Sequence, residues 1–183
     1  MKLARISTLA LAAVACATLT YAAKNPIVGG KEMFPNKNIV ENAINSADHT
    51  TLVAAVKAAG LVDTLQGPGP FTVFAPTNAA FQKLPAGTVD TLLKAENKAT
   101  LTKVLTYHVV AGRLSSVDLK KEIKAGKGTA MLKTVSGDTL WAMMHGSDIV
   151  LKDAKGGMSM VTQANVFQSN GVIHVVDTVV LPQ

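Results

Sequence analysis

Sulfur and imidazole side chains gather in the second half of the chain, in a pattern that could bind a soft metal ion. The group comprises Met131, Met143, Met144, His145, Met158 and Met160. Thioethers together with an imidazole can hold copper in an oxidising compartment. Methionine also fills gaps in protein cores, and Met143 and Met144 must point to opposite faces if they lie in a strand. We therefore predict that the chain holds no metal, with copper binding as the alternative.

The other residues with chemical potential form no recognisable catalytic motif. The four histidines are widely separated in the sequence, and they are His49, His108, His145 and His174. No His-x-x-x-His pair, Gly-x-Ser-x-Gly elbow or phosphate-binding glycine loop occurs. The single cysteine, Cys16, falls in a segment interpreted below as a leader. The sequence therefore predicts a protein that is not an enzyme and uses no cofactor.

The composition is that of one folded domain. Of the 183 residues, 48% are hydrophobic and 16% are charged, which is enough apolar material for a core without metal or disulfide support. The formal net charge is +6 and falls by two if Lys2 and Arg5 are removed with the leader. Lysine and arginine never run beyond two in a row, and aromatic residues are only 4%. We therefore expect no nucleic-acid partner.

The N-terminal residues are typical of an export signal. Lys2 and Arg5 precede an uncharged, alanine- and leucine-rich stretch, and Thr20 and Ala22 suit a signal peptidase. We predict a signal peptide over residues 1–22, and no transmembrane segment in the mature protein. The stretch before Cys16 is also an acceptable lipobox, so lipid anchoring through this cysteine is the alternative. Both interpretations place the mature chain in the periplasm, outside the cell or on its surface.

Hydrophobic periodicity and turn signals indicate the elements that must position these residues. Residues 23–37 have two prolines and a glycine pair but no period, which predicts an extended lead-in. Glycine-rich turns between short strands indicate antiparallel hairpins, and helices mostly from the N-terminal half give an α+β domain. Predicted helices are 38–47, 49–59, 77–84, 89–93 and 98–106, and predicted strands are 71–75, 107–110, 129–135, 139–144, 149–153, 158–164 and 171–180.

Three segments resemble the signatures of the fasciclin-like domain family. Residues 71–81, FTVFAPTNAAF, are similar to its first signature, and residues 170–182, NGVIHVVDTVVLP, to its second. Between them, residues 107–110, YHVV, are similar to the family's Tyr-His motif. The resemblance extends over residues 38–182 and is greatest for exported bacterial members with a single domain. It implies a compact β-sandwich or wedge with several helices.

The resemblance also implies a function and a site. It implies a non-enzymatic module that adheres to a cell-surface or matrix component, whether protein, polysaccharide or lipid. Contact would be made by Tyr107, His108 and Val109, since the corresponding motif of eukaryotic relatives is implicated in receptor contact. Physical reasoning favours another role, because a Tyr-His pair at a helix-to-strand junction is more often a buried hydrogen-bonded link. An envelope protein that binds a small ligand or copper is the alternative function.

Overall fold

The computed structural model describes residues 25–183, so the predicted signal peptide and Cys16 lie outside the described residues. All helices lie before residue 126, with four of the strands among them, and only strands follow. The helices are α1 (Ile39–Asn45), α2 (Thr50–Ala59), α3 (Val62–Gln66), α4 (Asn78–Gln82), α5 (Thr88–Leu93), α6 (Lys98–Tyr107) and α7 (Ser116–Ala125). The strands are β1 (Ile27–Val28), β2 (Lys31–Glu32), β3 (Phe71–Pro76), β4 (Val109–Ala111), β5 (Thr129–Lys133), β6 (Thr139–His145), β7 (Asp148–Lys152), β8 (Met158–Gln168) and β9 (Gly171–Val176).

Seven strands form one mixed sheet in the order β4-β3-β9-β8-β7-β6-β5. Strands β5 to β9 are joined by antiparallel hairpins, as the glycine-rich turns predicted. Strand β3 pairs with β9 in parallel and with β4 in antiparallel fashion. Strand β9 therefore lies inside the sheet, and every residue of it is buried.

Hydrophobic cores cover both faces of the central strands. In β3, Val73 and Ala75 join a core built with α1, α2, α3 and α6, whereas Phe74 joins the core under α7 and β5 to β8. In β9, Val175 and Val176 divide between the same two cores. This arrangement explains the nearly continuous apolar runs of both signatures, because a strand buried on both faces has no polar side to alternate with.

Three local predictions need correction. The lead-in is not simply extended, because Gly29 and Gly30 adopt positive φ and turn β1 back onto β2. Strand β4 begins at Val109 instead of residue 107, since Tyr107 is still the last residue of α6. Helix α7 was not predicted, because only Leu119 and Ile123 among its ten residues face the core.

The first signature links two helices through its turn. The Thr77 hydroxyl accepts a hydrogen bond from the Ala80 N–H and caps α4. The amide of Asn78 instead reaches α2, where its Oδ1 accepts from the Thr51 N–H at 3.0 Å and its Nδ2 donates to the Ala47 carbonyl at 2.9 Å. The adjacent residues Thr77 and Asn78 therefore cap different helices.

We expect the substitution Asn78→Ala to lower the free energy of unfolding by about 1 kcal/mol, because it removes the cap of α2. Chemical denaturation of the purified domain measures this value. Asn45→Ala, at an exposed position at the end of α1, is the matched control and should change it by less than about 0.5 kcal/mol. Equal stability of the two variants would contradict the capping role.

Candidate functional site

The Tyr-His motif lies where α6 passes into β4, and all three of its predicted contact residues are buried. The exposed fractions are 0% for Tyr107, 2% for His108 and 5% for Val109. Helix α6 buries its Leu101, Val104 and Leu105 side and so carries the motif into the interior. The structure thus brings the three residues together inside the domain and away from its surface.

Both ring nitrogens of His108 have backbone partners. Its Nδ1 is 2.8 Å from the Val104 carbonyl oxygen, and its Nε2 lies 3.1 Å from the Val180 nitrogen. The Val180 N–H must donate to Nε2, so the proton of the neutral ring is on Nδ1 and points at Val104. Burial is the main cause that lowers the pKa of His108 to about 4. The ring is therefore neutral at pH 7 and has no nitrogen free for substrate or metal.

The phenol of Tyr107 joins two of the hairpin segments. Its hydroxyl donates to the Thr139 carbonyl at 2.8 Å and accepts from the Ala154 N–H at 3.2 Å. Burial raises the pKa of Tyr107 to about 12. The phenol therefore stays protonated as a structural link and is not poised for proton transfer.

The neighbouring carboxylate of Asp153 completes the same network. Its Oδ1 accepts from the N–H groups of Lys155 and Gly157, at 3.0 and 2.6 Å, and its Oδ2 accepts from the Leu181 N–H at 2.9 Å. Asp153 was not predicted as a site residue, because its partner Leu181 is distant in sequence. His108 and Asp153 therefore accept hydrogen bonds from the consecutive backbone N–H groups of Val180 and Leu181 and fix the C-terminal segment.

The second signature is also used inside the domain. Asn170 is 7% exposed; its Oδ1 accepts from the Ile39 N–H at 3.0 Å, and its Nδ2 donates to the carbonyls of Leu65 and Gly67. His174 is fully buried, and its ring stacks on Phe74 with centroids 5.6 Å apart. These contacts join β9 to the α1–α3 region and to β3. The signature residues therefore serve architecture.

A different surface is open to partners, on the exposed face of β5 to β8. Helix α7 packs against the opposite face of these strands through Leu119 and Ile123. The cross-strand register forms a row across these strands. The row runs from Met131 to Trp141, then to Lys152 and Met158. The next row aligns Met143 with Val150 and then Met160. We call this surface the methionine face: Met131, Trp141, Met143, Met158 and Met160.

The methionine face is apolar but not covered. Exposed fractions are 71% for Met131, 49% for Met158 and 38% for Met160, while Trp141 and Met143 are half-buried. Exposed large apolar side chains that gather on one face of a soluble domain mark an interaction site more often than scattered ones do. Methionine suits such a surface because its flexible thioether adapts to different partner shapes.

The charged groups on and beside the methionine face are mostly positive. Lys133 and Lys152 lie on the same strand face, and Lys155 follows in the next turn. Asp148 lies opposite His145 in the strand register, at the far end of the β6–β7 hairpin. A partner with an apolar and anionic surface would complement this arrangement.

The sulfur and imidazole side chains of the alternative copper site are only partly assembled. Met143 and Met144 point to opposite sides of β6, as strand alternation requires, and His145 lies at the hairpin end. Within residues 25–183, no group of three or more histidine, cysteine, aspartate or glutamate side chains could hold a metal ion. The methionine face also carries the cationic Lys152 between Trp141 and Met158.

We expect the purified mature protein to contain no stoichiometric metal and to keep its melting temperature in the presence of a chelator. Metal analysis after dialysis and a thermal melt with and without chelator measure this. Copper that survives dialysis in the native protein and is lost in Met143→Leu would contradict the prediction. Met33→Leu, a core methionine outside the cluster, is the matched control.

The mixed sheet, the two cores and the buried signatures define a fasciclin-type α+β domain. The chain matches the Fasciclin domain family over residues 47–182 and belongs to that family. Its fold is similar to that of a FAS1 domain pair from the insect cell adhesion molecule fasciclin I, with a TM-score of 0.70 and 20% identity over 80% of this chain and 51% of the other. The predicted family and α+β fold class are thereby confirmed.

The relatives of this chain include bacterial proteins. Protein sll1483 of Synechocystis sp. is 42% identical over 176 residues, which cover 95% of this chain and 89% of the relative. Immunogenic protein MPB70 of Mycobacterium bovis is 36% identical over 171 residues, covering 88% and 78%. Cell surface glycolipoprotein MPB83 of the same species is also 36% identical over 171 residues, covering 88% and 69%. No helix within residues 25–183 is long and apolar enough to cross a membrane.

Proposed function

We propose that this protein is an exported, non-enzymatic contact module that adheres to a cell-surface or extracellular-matrix component through its methionine face. The observation that carries the proposal is the array of four methionines and one tryptophan on one face of β5 to β8, in which three of the methionines are exposed. The fasciclin family is known for adhesion and surface proteins, and one relative is named as a cell surface glycolipoprotein.

The Tyr-His motif has an indirect role in this proposal. Tyr107, His108 and Val109 hold α6, the hairpins and the C-terminal segment together, and a partner cannot reach them while the domain is folded. They are positioning residues for the surface and do not make the contact themselves. A variant at this motif would then reduce adhesion only to the extent that it reduces the folded fraction.

The proposal is tested by binding of the labelled domain, residues 23–183, to intact cells of the producing organism. Native protein should bind saturably, and excess unlabelled protein should compete. The double substitution Met131→Ser and Met158→Ser should weaken binding at least about tenfold, because it removes the two most exposed apolar side chains of the surface, one at each end of the row through Trp141. Val117→Ser, at a 58% exposed position of α7, is the matched control and should bind as the native protein does. Equal binding by all three proteins would contradict the proposal.

The export part of the proposal has its own measurement. We expect the mature protein to begin at Ala23, because Thr20 and Ala22 suit the peptidase and the residues after them lose apolar character. Intact mass of the protein purified from its native host distinguishes the possibilities. A mass that corresponds to a lipidated Cys16 would change the location to a membrane anchor, and an uncleaved Met1 would contradict export by this route.

A further inference from the structure

The methionine face concentrates oxidisable sulfur on one surface of the domain. No cysteine occurs within residues 25–183, because Cys16 is the only cysteine of the sequence. Where no thiol competes, the thioether of methionine is the group that a mild peroxide converts, and its product is the sulfoxide. An oxidant would therefore change this surface before other parts of the domain.

The methionines differ widely in their access to solvent. Met131, Met158 and Met160 are 71%, 49% and 38% exposed, and all three lie on the methionine face. Met33 is only 2% exposed and belongs to the core. Met144 is 36% exposed but points to the opposite side of β6. A peroxide in solution can reach the three face methionines and Met144, whereas packing protects Met33.

Oxygen added to the face methionines would leave the core unchanged. Met131 alternates along β5 with the buried residues Ala130 and Leu132, and the buried Ser159 separates the two methionines of β8. Successive side chains of a strand point to opposite faces, so the packing that stabilises the sheet is made by these neighbours. A sulfoxide oxygen on the exposed face stays in contact with water. Oxidation of this surface should therefore not destabilise the fold.

The same oxygen would oppose contact with an apolar partner. Sulfoxide formation turns a flexible apolar side chain into a polar one. A partner that covers this side chain would remove the oxygen from water, and a buried polar atom without a hydrogen-bond partner costs free energy. Met131 and Met158 lie at the two ends of the row through Trp141. Oxidation would therefore make the row polar at both ends.

We propose that Met131, Met158 and Met160 form a reversible oxidation site that turns adhesion by the methionine face off. The inference rests on the adhesive function proposed above. Hydrogen peroxide transfers one oxygen atom to the sulfur: its O–O bond breaks, an S–O bond forms and water leaves, so the sulfur loses two electrons and the peroxide gains them. Methionine sulfoxide reductases reverse the change. In that step two thiols supply two electrons and two protons, become a disulfide, and the oxygen leaves as water.

Mild treatment of the mature protein with hydrogen peroxide tests this site. After the peroxide is removed, peptide mass analysis gives the sulfoxide fraction at each methionine, and the labelled protein is applied to cells of the producing organism. We expect Met131, Met158 and Met160 to be oxidised before Met33. Binding should weaken about tenfold at an unchanged melting temperature, since contact residues have become polar. Treatment with reductases for both sulfoxide epimers should restore it.

Two variants locate the effect, each compared with its own untreated sample. The triple substitution Met131→Leu, Met158→Leu and Met160→Leu keeps apolar side chains of similar volume without sulfur, so peroxide should change its binding less than about twofold. Met144→Leu removes an exposed thioether outside the methionine face and should remain as sensitive to peroxide as the native protein. If the triple variant fails to bind before treatment, restoration of the oxidised native protein by the reductases decides the question.

The possible outcomes separate the two proposals. Untreated native protein that does not bind cells contradicts the adhesive function, and the oxidation site fails with it. Native protein that binds equally well before and after oxidation contradicts the oxidation site alone. The site is also overturned if Met33 is oxidised as fast as the face methionines, if the reductases do not restore binding, or if Met144→Leu abolishes the sensitivity to peroxide.

Discussion

Acidification from pH 6.5 to pH 4 is expected to remove about 3 kcal/mol of folding stability through His108 alone. The pKa of this ring is about 4 in the folded protein against 6.5 in the unfolded chain. The unfolded state therefore binds a proton more tightly, so the stabilisation is complete above pH 6.5 and is lost as the pH falls through this window. Each unit of pKa difference corresponds to about 1.4 kcal/mol.

Burial lowers the pKa of His49 and His174 as well, so both rings add to the loss in the same direction. The pKa values of Asp118 and Asp177 are also lowered. These carboxylates lose their contribution to folding stability only below about pH 4, which is a separate pH range. Denaturant unfolding at several pH values measures how steeply the free energy of unfolding changes with pH. The variant His108→Gln cannot titrate here and should show a shallower slope. A stability that is independent of pH between 6.5 and 4 would contradict the buried, neutral state of these histidines.

The substitution His108→Ala is expected to lower the free energy of unfolding by about 3 kcal/mol at pH 7. It leaves the Val104 carbonyl and the Val180 N–H without partners inside the domain, and each buried unsatisfied group costs about 1–3 kcal/mol. Loss of the ring also leaves space in the core. The C-terminal segment after β9 should therefore detach more readily.

Chemical denaturation gives the stability change, and hydrogen exchange of the Val180 amide reports the detachment directly. His145→Ala removes an exposed histidine and serves as the matched control, with an expected change below about 0.5 kcal/mol. Native stability and native exchange at Val180 in His108→Ala would show that the ring does not hold this segment.

Local patterns predicted much of the fold, and the failures have physical reasons. Helix α2 was predictable because Leu52, Ala55, Val56 and Ala59 recur with helical spacing, and all four are buried. Helix α7 was not predicted, because two buried apolar residues are too few to establish a helical period. Its available signal was the capping box at Ser115, whose hydroxyl accepts from the Asp118 N–H.

The candidate site could be predicted only in part, because it depends on contacts between residues that are distant in sequence. The apolar character of β9 indicated burial, but its parallel pairing with β3 joins residues about a hundred positions apart, which no local pattern encodes. The bond from the Leu181 N–H to Asp153 Oδ2 is likewise long-range, since only the fold brings these two atoms within 2.9 Å. Strand alternation did predict opposite directions for Met143 and Met144, because this property depends on one strand alone.

The adhesive role of the methionine face is tested most directly by cell-surface binding of His108→Ala and of the Met131→Ser, Met158→Ser double variant, measured side by side with their stability. Both measurements are made below the unfolding temperature of each protein. We expect His108→Ala to bind in proportion to its folded fraction, whereas the double variant should keep its melting temperature and lose at least about tenfold in binding. Full stability with abolished binding in His108→Ala, together with native binding by the double variant, would contradict that role and make the Tyr-His motif the adhesive contact.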